Sequence, residues 1–544
     1  MNKVFALLLF FVIYINCVSS IGAEIIKEDF LTKGYGREYW KKIEEKIRPY
    51  KKIKFLKVNG SDIPIIEFKT EYTKYSEGTK KAASNNRRNF VISLSGGGNV
   101  KKIKTCLEPI LSKGANDFTF LRNLSLIRFS SDSGKLISLI KNISSITKIN
   151  YVEELVSKDL FYDIPVGGNH EKSLSDKSIS SYEANIYKPS DPLFFDQWSL
   201  YNDINSNADI GYLGYRKYVE ENNYKYPYEE KPVVAIVDIG IYYDMPELEN
   251  SVWINEGEIP NNGKDDDNNG YIDDYKGVDV GHPECTLDEC IDLYKETHGT
   301  AMYSIIASET DNDIYMSGIL PEDIKVLLIS ASGNYDNIDK YLEAYDYVLE
   351  MKKRGVNIVG VNMSFGAPPF IQAEYDIIKL MRGQDIVIMA AAGNESYNLQ
   401  IIPNYPASYD LDNIIAVGSV NMRGNKSPHS NYGKDIDVYM PGDRILQQDY
   451  PEAILPHYIT GSGTSQASAI MTGVFGVAAY LYPECSAMEL KDFILTKSVE
   501  KVGTYTEKRL FLRDNTYELY MSKLSSVDGV GLIENGKPHN DICR

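Results

Sequence analysis

The sequence predicts an α/β fold, a doubly wound and mostly parallel sheet, preceded by a small α+β domain. Two patterns carry that expectation. Val233–Val237 is a continuous apolar run that ends in Asp238, and a second strand-like run covers 385–391. Unbroken runs of this kind fill parallel strands buried on both faces. Upstream, between 88 and 155, the order is strand, helix, strand, strand, helix, strand. That order suits a ferredoxin-like βαββαβ unit. With 544 residues, 43% of them hydrophobic, the chain is long enough for more than one domain and a full core.

From the N-terminus, Lys3 precedes the apolar run Val4–Ile15 and small residues through Ser20, which reads as a secretory signal peptide over 1–20. Asn16 and Ser19 cut the run short of the ~20 apolar residues a membrane span needs, so no anchor is expected. The elements of the βαββαβ unit are expected at Phe90–Leu94, Val100–Lys113, Phe118–Leu121, Leu124–Phe129, Gly134–Lys141 and Ile146–Val152. Val166–Lys188, rich in Ser, Lys, Asn and Gly, reads as an exposed linker. A net charge of −18 argues against nucleic acid as a partner, because phosphate neutralisation needs Lys/Arg stripes. Of six cysteines, Cys17 leaves with the signal. Cys285/Cys290 and Cys485/Cys543 are candidate pairs whose connectivity the sequence leaves open, with Cys106 over.

Four segments carry chemistry. In Gly461–Ala469, Ser465 stands among small residues just before an apolar helical run, where a helix N-terminus favours developing negative charge. A hydroxyl nucleophile needs a base, and the base an acid to orient it. Asp238 closes an apolar strand at the edge where open α/β sheets gather their sites. His298-Gly299-Thr300 opens an apolar helical segment, which puts His298 at its start. Asn394 follows the 385–391 strand and offers an amide to an oxyanion.

In the order Asp238, His298, Asn394, Ser465, these motifs resemble the subtilisin-like serine proteases. The resemblance runs from Ser190 to about Ser498 and includes Asp191–Leu200, Asn362–Gly366 and Ile414–Val420. It implies that Asp238 orients His298, His298 is general base and then acid, Ser465 attacks, and Asn394 with the Ser465 N–H holds the oxyanion. It also implies substrate contacts at Ser364, Phe365, Gly366, Ala392 and Gly393, with protein or peptide substrates. The chain departs from the family pattern at Ile239, Ala301, Ser304 and Ala469, none of them a catalytic group. Tyr151-Val152-Glu153-Glu154 resembles the last strand of the family's inhibitory propeptides. The expected organisation is signal 1–20, propeptide 21–188 acting as the chain's own inhibitor, catalytic domain 189–505 and C-terminal extension 506–544. The expected product is a secreted serine endopeptidase made as an autoinhibited zymogen. The alternative is a catalytically inactive subtilase-like binding protein.

Asp265–Asp274 matches the first nine positions of an EF-hand loop, with Lys276 where the twelfth-position Glu belongs. The expected ligands of a structural Ca²⁺ are Asp265, Asp267, Asn269 and Asp273 with the Tyr271 carbonyl. Asn362 and Asn394 both sit in glycosylation sequons, and burial is expected to protect them.

Overall fold

The computed structural model describes residues 51–58, 61–68, 88–95, 118–121, 126–131, 140, 143–144, 148–155, 187–497 apart from 204–207, 284–285, 288–296, 332–337 and 450–456, and 533–534 with 537–538. The signal segment, the first helix of the βαββαβ unit, nearly all of its second helix, and nearly all of the linker lie outside the described residues. The chain forms two compact units.

One unit holds a seven-stranded sheet built from β7 (Val233–Asp238), β8 (Val278–Asp279), β9 (Lys325–Ser330), β10 (Ile358–Met363), β11 (Val387–Ala391), β12 (Ile414–Val420) and β13 (Val438–Pro441). Its order is β13-β12-β11-β10-β7-β9-β8, and every pairing is parallel. Every residue of β7, β11 and β12 is buried, as the unbroken apolar runs require. The winding reverses between β7 and β10, and at such a switch point the loops leaving the strand ends part to open a crevice. Along the chain the strands alternate with helices α1 (Tyr212–Glu221), α2 (His298–Ala307), α3 (Ile338–Lys353), α4 (Gln372–Gly383), α5 (Thr464–Leu481) and α6 (Ala487–Lys497), of which α4 and most of α3 belong to the other unit. All 18 residues of α5 are buried, and apart from Gln466, which donates to Gln447 at 2.9 Å, the helix is apolar or small all round, packing on β10–β13 and on α2. The run expected as a strand from 385 begins at Val387. Asp385 instead takes φ +57° and its carboxylate accepts the Ala487 and Met488 N–H groups at 2.8 and 3.0 Å, capping α6. Cys485 is disulfide-bonded.

The other unit holds a six-stranded sheet of β1 (Lys51–Val58), β2 (Ser61–Phe68), β3 (Arg88–Ser95), β4 (Phe118–Leu121), β5 (Leu126–Ser131) and β6 (Lys148–Leu155), in the order β1-β2-β6-β3-β5-β4. The stretch β6-β3-β5-β4 has the strand order of a ferredoxin-like unit, as expected. The hairpin β1-β2, which joins parallel to β6, was not among the expected elements. Its register pairs Val58 with Ser61 and leaves only Asn59-Gly60 between the strands, the strongest short hairpin signal a sequence carries. The same unit includes α4 and α3 through Glu350. Glu153, fully buried on β6, accepts the Gln372 and Ala373 N–H groups at 3.2 Å each, placing a carboxylate on the N-terminus of α4. Two residues earlier, the buried Tyr151 hydroxyl donates to Asp376.

Candidate active site

Asp238 is the last residue of β7 and is fully buried. Its Oδ1 accepts the Ile239 N–H at 2.7 Å and lies 2.7 Å from His298 Nδ1. His298 opens α2, with a side chain 11% exposed. The helix start is seated on the chain leaving β7. Gly299 N–H donates to the Ile239 carbonyl at 2.8 Å, Thr300 N–H to the Gly240 carbonyl at 3.1 Å, and Thr300 Oγ1 to the same carbonyl at 2.9 Å. A Cβ on Gly299 would stand 2.4 Å from Ile241 Cγ1 and 2.8 Å from the Ile239 carbonyl oxygen, so only glycine lets α2 approach this closely. Asp238 and His298, 60 residues apart, therefore meet because a strand end and a helix start are stitched together by backbone hydrogen bonds.

Ser465 is the second residue of α5, whose first-turn N–H groups have no intrahelical acceptor. Thr464 N–H donates to Asn394 Oδ1 at 2.9 Å, and Gly393 N–H donates to Thr464 Oγ1 at 2.9 Å. With its oxygen engaged, the Asn394 amide presents its NH2 end away from Thr464. Ser465 Oγ donates to the Ser364 carbonyl at 2.8 Å, and Ser364 Oγ donates to the Ser465 carbonyl at 3.0 Å. Ser364, Phe365, Gly366, Ala392 and Gly393 are all buried. The Ala392 N–H donates to the Val417 carbonyl at 3.0 Å, and Gly393 takes φ +99°.

Two carboxamides missed by sequence reasoning shape this loop. Asn431 accepts the Glu395 and Tyr397 N–H groups at 3.2 and 2.7 Å and donates to the Ala392 carbonyl at 2.8 Å. Asn404 donates to the Ala391 carbonyl at 3.2 Å, and its Nδ2 would lie 2.2 Å from a Cβ on Gly366. Both come from other loops, and no local spacing marks them. The departures from the family pattern are absorbed by packing. Ala301 and Ala469 are buried, the Ile239 N–H holds Asp238, and Ser304 Oγ donates to the Ala301 carbonyl and accepts the Gln448 N–H, at 2.8 and 3.0 Å. Asn362 is fully buried, as expected, whereas Asn394, expected to be buried as well, is half-buried.

The acidic loop brings together a different set from the expected one. Carboxylate oxygens of Glu258, Asp267 and Asp274 lie within 4.8 Å of one another, and of the expected ligands only Asp267 is among them. Asp265 spends its two oxygens on the Asn269 and Gly270 N–H groups, and Asp273 on those of Asn262 and Gly263. Asn269 turns its NH2 to Asp274 at 2.7 Å, and its oxygen accepts the Tyr271 N–H at 2.8 Å. The EF-hand spacing thus builds Asx turns here, while the converging carboxylates include Glu258 from outside the run. Burial raises the Glu258 carboxyl, and its Oε2 has no hydrogen-bond partner among the described residues. Arg354 stands 3.6 Å from Asp267 Oδ2, one cation beside three carboxylates. A hard divalent cation suits such an all-oxygen donor set.

The sequence model of the subtilase family matches residues 229–520. The chain is 32% identical over 200 residues to subtilisin DY from Bacillus licheniformis, covering 36% of this chain and 68% of that protein. It is 30% identical to an intracellular serine protease of Paenibacillus polymyxa, covering 46% of this chain and 66% of that one. Among solved structures it is similar to fervidolysin from Fervidobacterium pennivorans, a keratinolytic enzyme related to subtilisin, with a TM-score of 0.53, 16% identity and coverage of 77% of this chain and 59% of that one. At that identity the likeness speaks to the fold alone.

Proposed function

Because the chain belongs to the subtilase family of serine endopeptidases, we propose that it is a secreted endopeptidase that hydrolyses protein or peptide substrates through Asp238, His298 and Ser465 and is made as an autoinhibited zymogen. The observation that carries the catalytic reading is the 2.7 Å Asp238–His298 pair at the switch point of the sheet. Ser465 Oγ leaves the Ser364 carbonyl, passes its proton to His298 and bonds to the scissile carbonyl carbon. The negative charge on the former carbonyl oxygen is taken up by the Ser465 N–H and the Asn394 amide. His298 then returns the proton to the leaving amine, and a water repeats the sequence to free the acid and restore Ser465. Asp238 keeps the imidazole in one orientation and stabilises its cation. Ser364–Gly366, Ala392 and Gly393 line the path of the substrate backbone.

Residues 21–188 are read as the propeptide, supported by the ferredoxin-like strand order and by the Glu153 carboxylate on the N-terminus of α4. Secretion rests on the apolar N-terminal segment. No helix among the described residues is long and apolar enough to cross a membrane. Calcium is read as a structural ion held by Glu258, Asp267 and Asp274, where it would offset the mutual repulsion of three carboxylates. One experiment tests the enzymatic reading and autoprocessing together. The full-length Ser465→Ala chain, expressed alone in a protease-deficient host, is expected to accumulate as an uncleaved precursor without peptidase activity, while the unaltered chain matures and reacts with a fluorophosphonate at Ser465. Normal maturation of the variant would remove self-processing from the reading, and an unaltered chain that takes no fluorophosphonate would remove the nucleophile.

A further inference from the structure

We infer that Asn362 is a positioning residue for the nucleophile, acting through Ser364; this rests on Ser465 being the attacking group. Asn362 lies on β10, paired with Ile236 on one side and Met389 on the other, and none of its surface reaches solvent. An amide in the middle of an apolar sheet is expensive to bury unless every polar atom is engaged. Here the engagement leads to the active serine. Asn362 Nδ2 donates to Ser364 Oγ at 2.9 Å, Ser364 Oγ is 3.0 Å from the Ser465 carbonyl, and Ser465 Oγ is 2.8 Å from the Ser364 carbonyl.

The shorter contacts set the direction of the chain. Ser364 has one hydroxyl proton and two neighbouring acceptors, the Ser465 carbonyl and, at 3.2 Å, Asn362 Oδ1. Three hydroxyls face Asn362 Oδ1, those of Ser364 and Ser468 at 3.2 Å and of Thr472 at 3.1 Å, which makes that atom the acceptor end of the amide, and Thr472 Oγ1 also has the Ser468 carbonyl at 2.9 Å. Ser468 Oγ has the Met389 carbonyl at 2.9 Å for its own proton. The Asn362 NH2 therefore donates to Ser364 Oγ at 2.9 Å, and the Ser364 proton turns to the nearer of its two acceptors, the Ser465 carbonyl at 3.0 Å. Ser364 thereby grips Ser465 at both its carbonyl and its hydroxyl, and Asn362 fixes the rotor that makes the first grip. Losing the Asn362 amide leaves that rotor undirected. The Ser465 N–H and Oγ, which must meet the substrate together, then lose their common anchor. Misplacement of reacting groups by as little as ~1 Å lowers rates by about a hundredfold.

The test uses the full-length, self-matured chain and reads the fluorophosphonate labelling rate of Ser465, kcat and KM on a peptide substrate, and the melting temperature. Asn362→Ala is expected to lower kcat and the labelling rate together by about ten- to a hundredfold with KM within about twofold. Thr472→Val, which removes the nearest of the three hydroxyls at the amide oxygen at almost unchanged volume, is expected to slow labelling by a smaller factor. Ser419→Ala, which breaks a buried 2.8 Å hydroxyl pair with Ser427 outside this chain of bonds, is expected to lower the melting temperature and leave labelling unchanged. If Asn362→Ala labels as fast as the unaltered chain, or does not fold while Thr472→Val labels at the unaltered rate, the inference is overturned. An unaltered chain that takes no label at Ser465 overturns it together with the reading it rests on.

Discussion

Replacing Asp238 by Asn removes a charge and almost nothing else, and the structure sets the size of the effect. Oδ1 accepts both the Ile239 N–H and the His298 Nδ1 bond, at 2.7 Å each. The Ile239 N–H obliges the amide oxygen of the variant to keep that place, so His298 retains its acceptor and its tautomer. What is lost is the attraction between a carboxylate and the imidazolium formed during attack. Two unit charges about 4 Å apart in an effective dielectric near 20 interact by about 4 kcal/mol. The same amount off the transition state is about a thousandfold in kcat. The new NH2 would occupy the place of Oδ2, which has no hydrogen-bond partner among the described residues. A buried donor without an acceptor costs about 1–3 kcal/mol of stability. Steady-state kinetics on the matured variant should therefore give a kcat down about a thousandfold, a KM nearly unchanged and a lower melting temperature. A kcat within tenfold of the unaltered enzyme would refute the electrostatic role. A loss as deep as that of Ser465→Ala would mean that the NH2 has turned toward His298, against the Ile239 constraint.

Asn394→Leu should keep the fold and slow kcat by about a hundred- to a thousandfold, measured against an unchanged KM, as loss of one oxyanion donor does. Gly299→Ala drives a methyl into Ile241 Cγ1 at 2.4 Å and should pull His298 from Asp238, with kcat down at least about tenfold alongside a fall in melting temperature. EGTA should lower the melting temperature by mass action, and Glu258→Gln or Asp267→Asn should abolish the difference between calcium-loaded and chelated protein, whereas an unaltered difference would remove calcium from this cluster. Burial pushes the Asp209 carboxyl up to about 8 against the opposing Gly211 and Asn202 N–H bonds. The folded state then binds a proton that the unfolded chain releases near pH 4, so stability should be full below that pH and fall as the pH rises to about 8. Thermal melts of Asp209→Asn should show a flatter pH dependence over that window.

The candidate catalytic groups stood out in the sequence because each sits at a junction with a strong local signature, and the structure places each at such a junction. Asp238 ends an apolar strand, His298 begins a helix, Asn394 follows a strand and Ser465 precedes a buried helix. Strand and helix periods are local physics, and they also made the succession of strands β3 to β6 readable. The β1-β2 hairpin, which was not among the expected elements, carries a local signal of the same kind in Asn59-Gly60. Tertiary structure alone decided which polar atoms meet. The bond from Asp238 to His298 depends on α2 resting on residues 239–240, and the loop around Asn394 depends on carboxamides from positions 404 and 431. The acidic loop makes the contrast clearest. Its spacing fits a calcium site, yet Asp265 takes the Asn269 and Gly270 amides and Asp273 those of Asn262 and Gly263, while Glu258 and Asp274 converge on Asp267. A carboxylate's partner is set by which donors the rest of the chain brings within about 3 Å, and that is a property of packing rather than of spacing along the sequence.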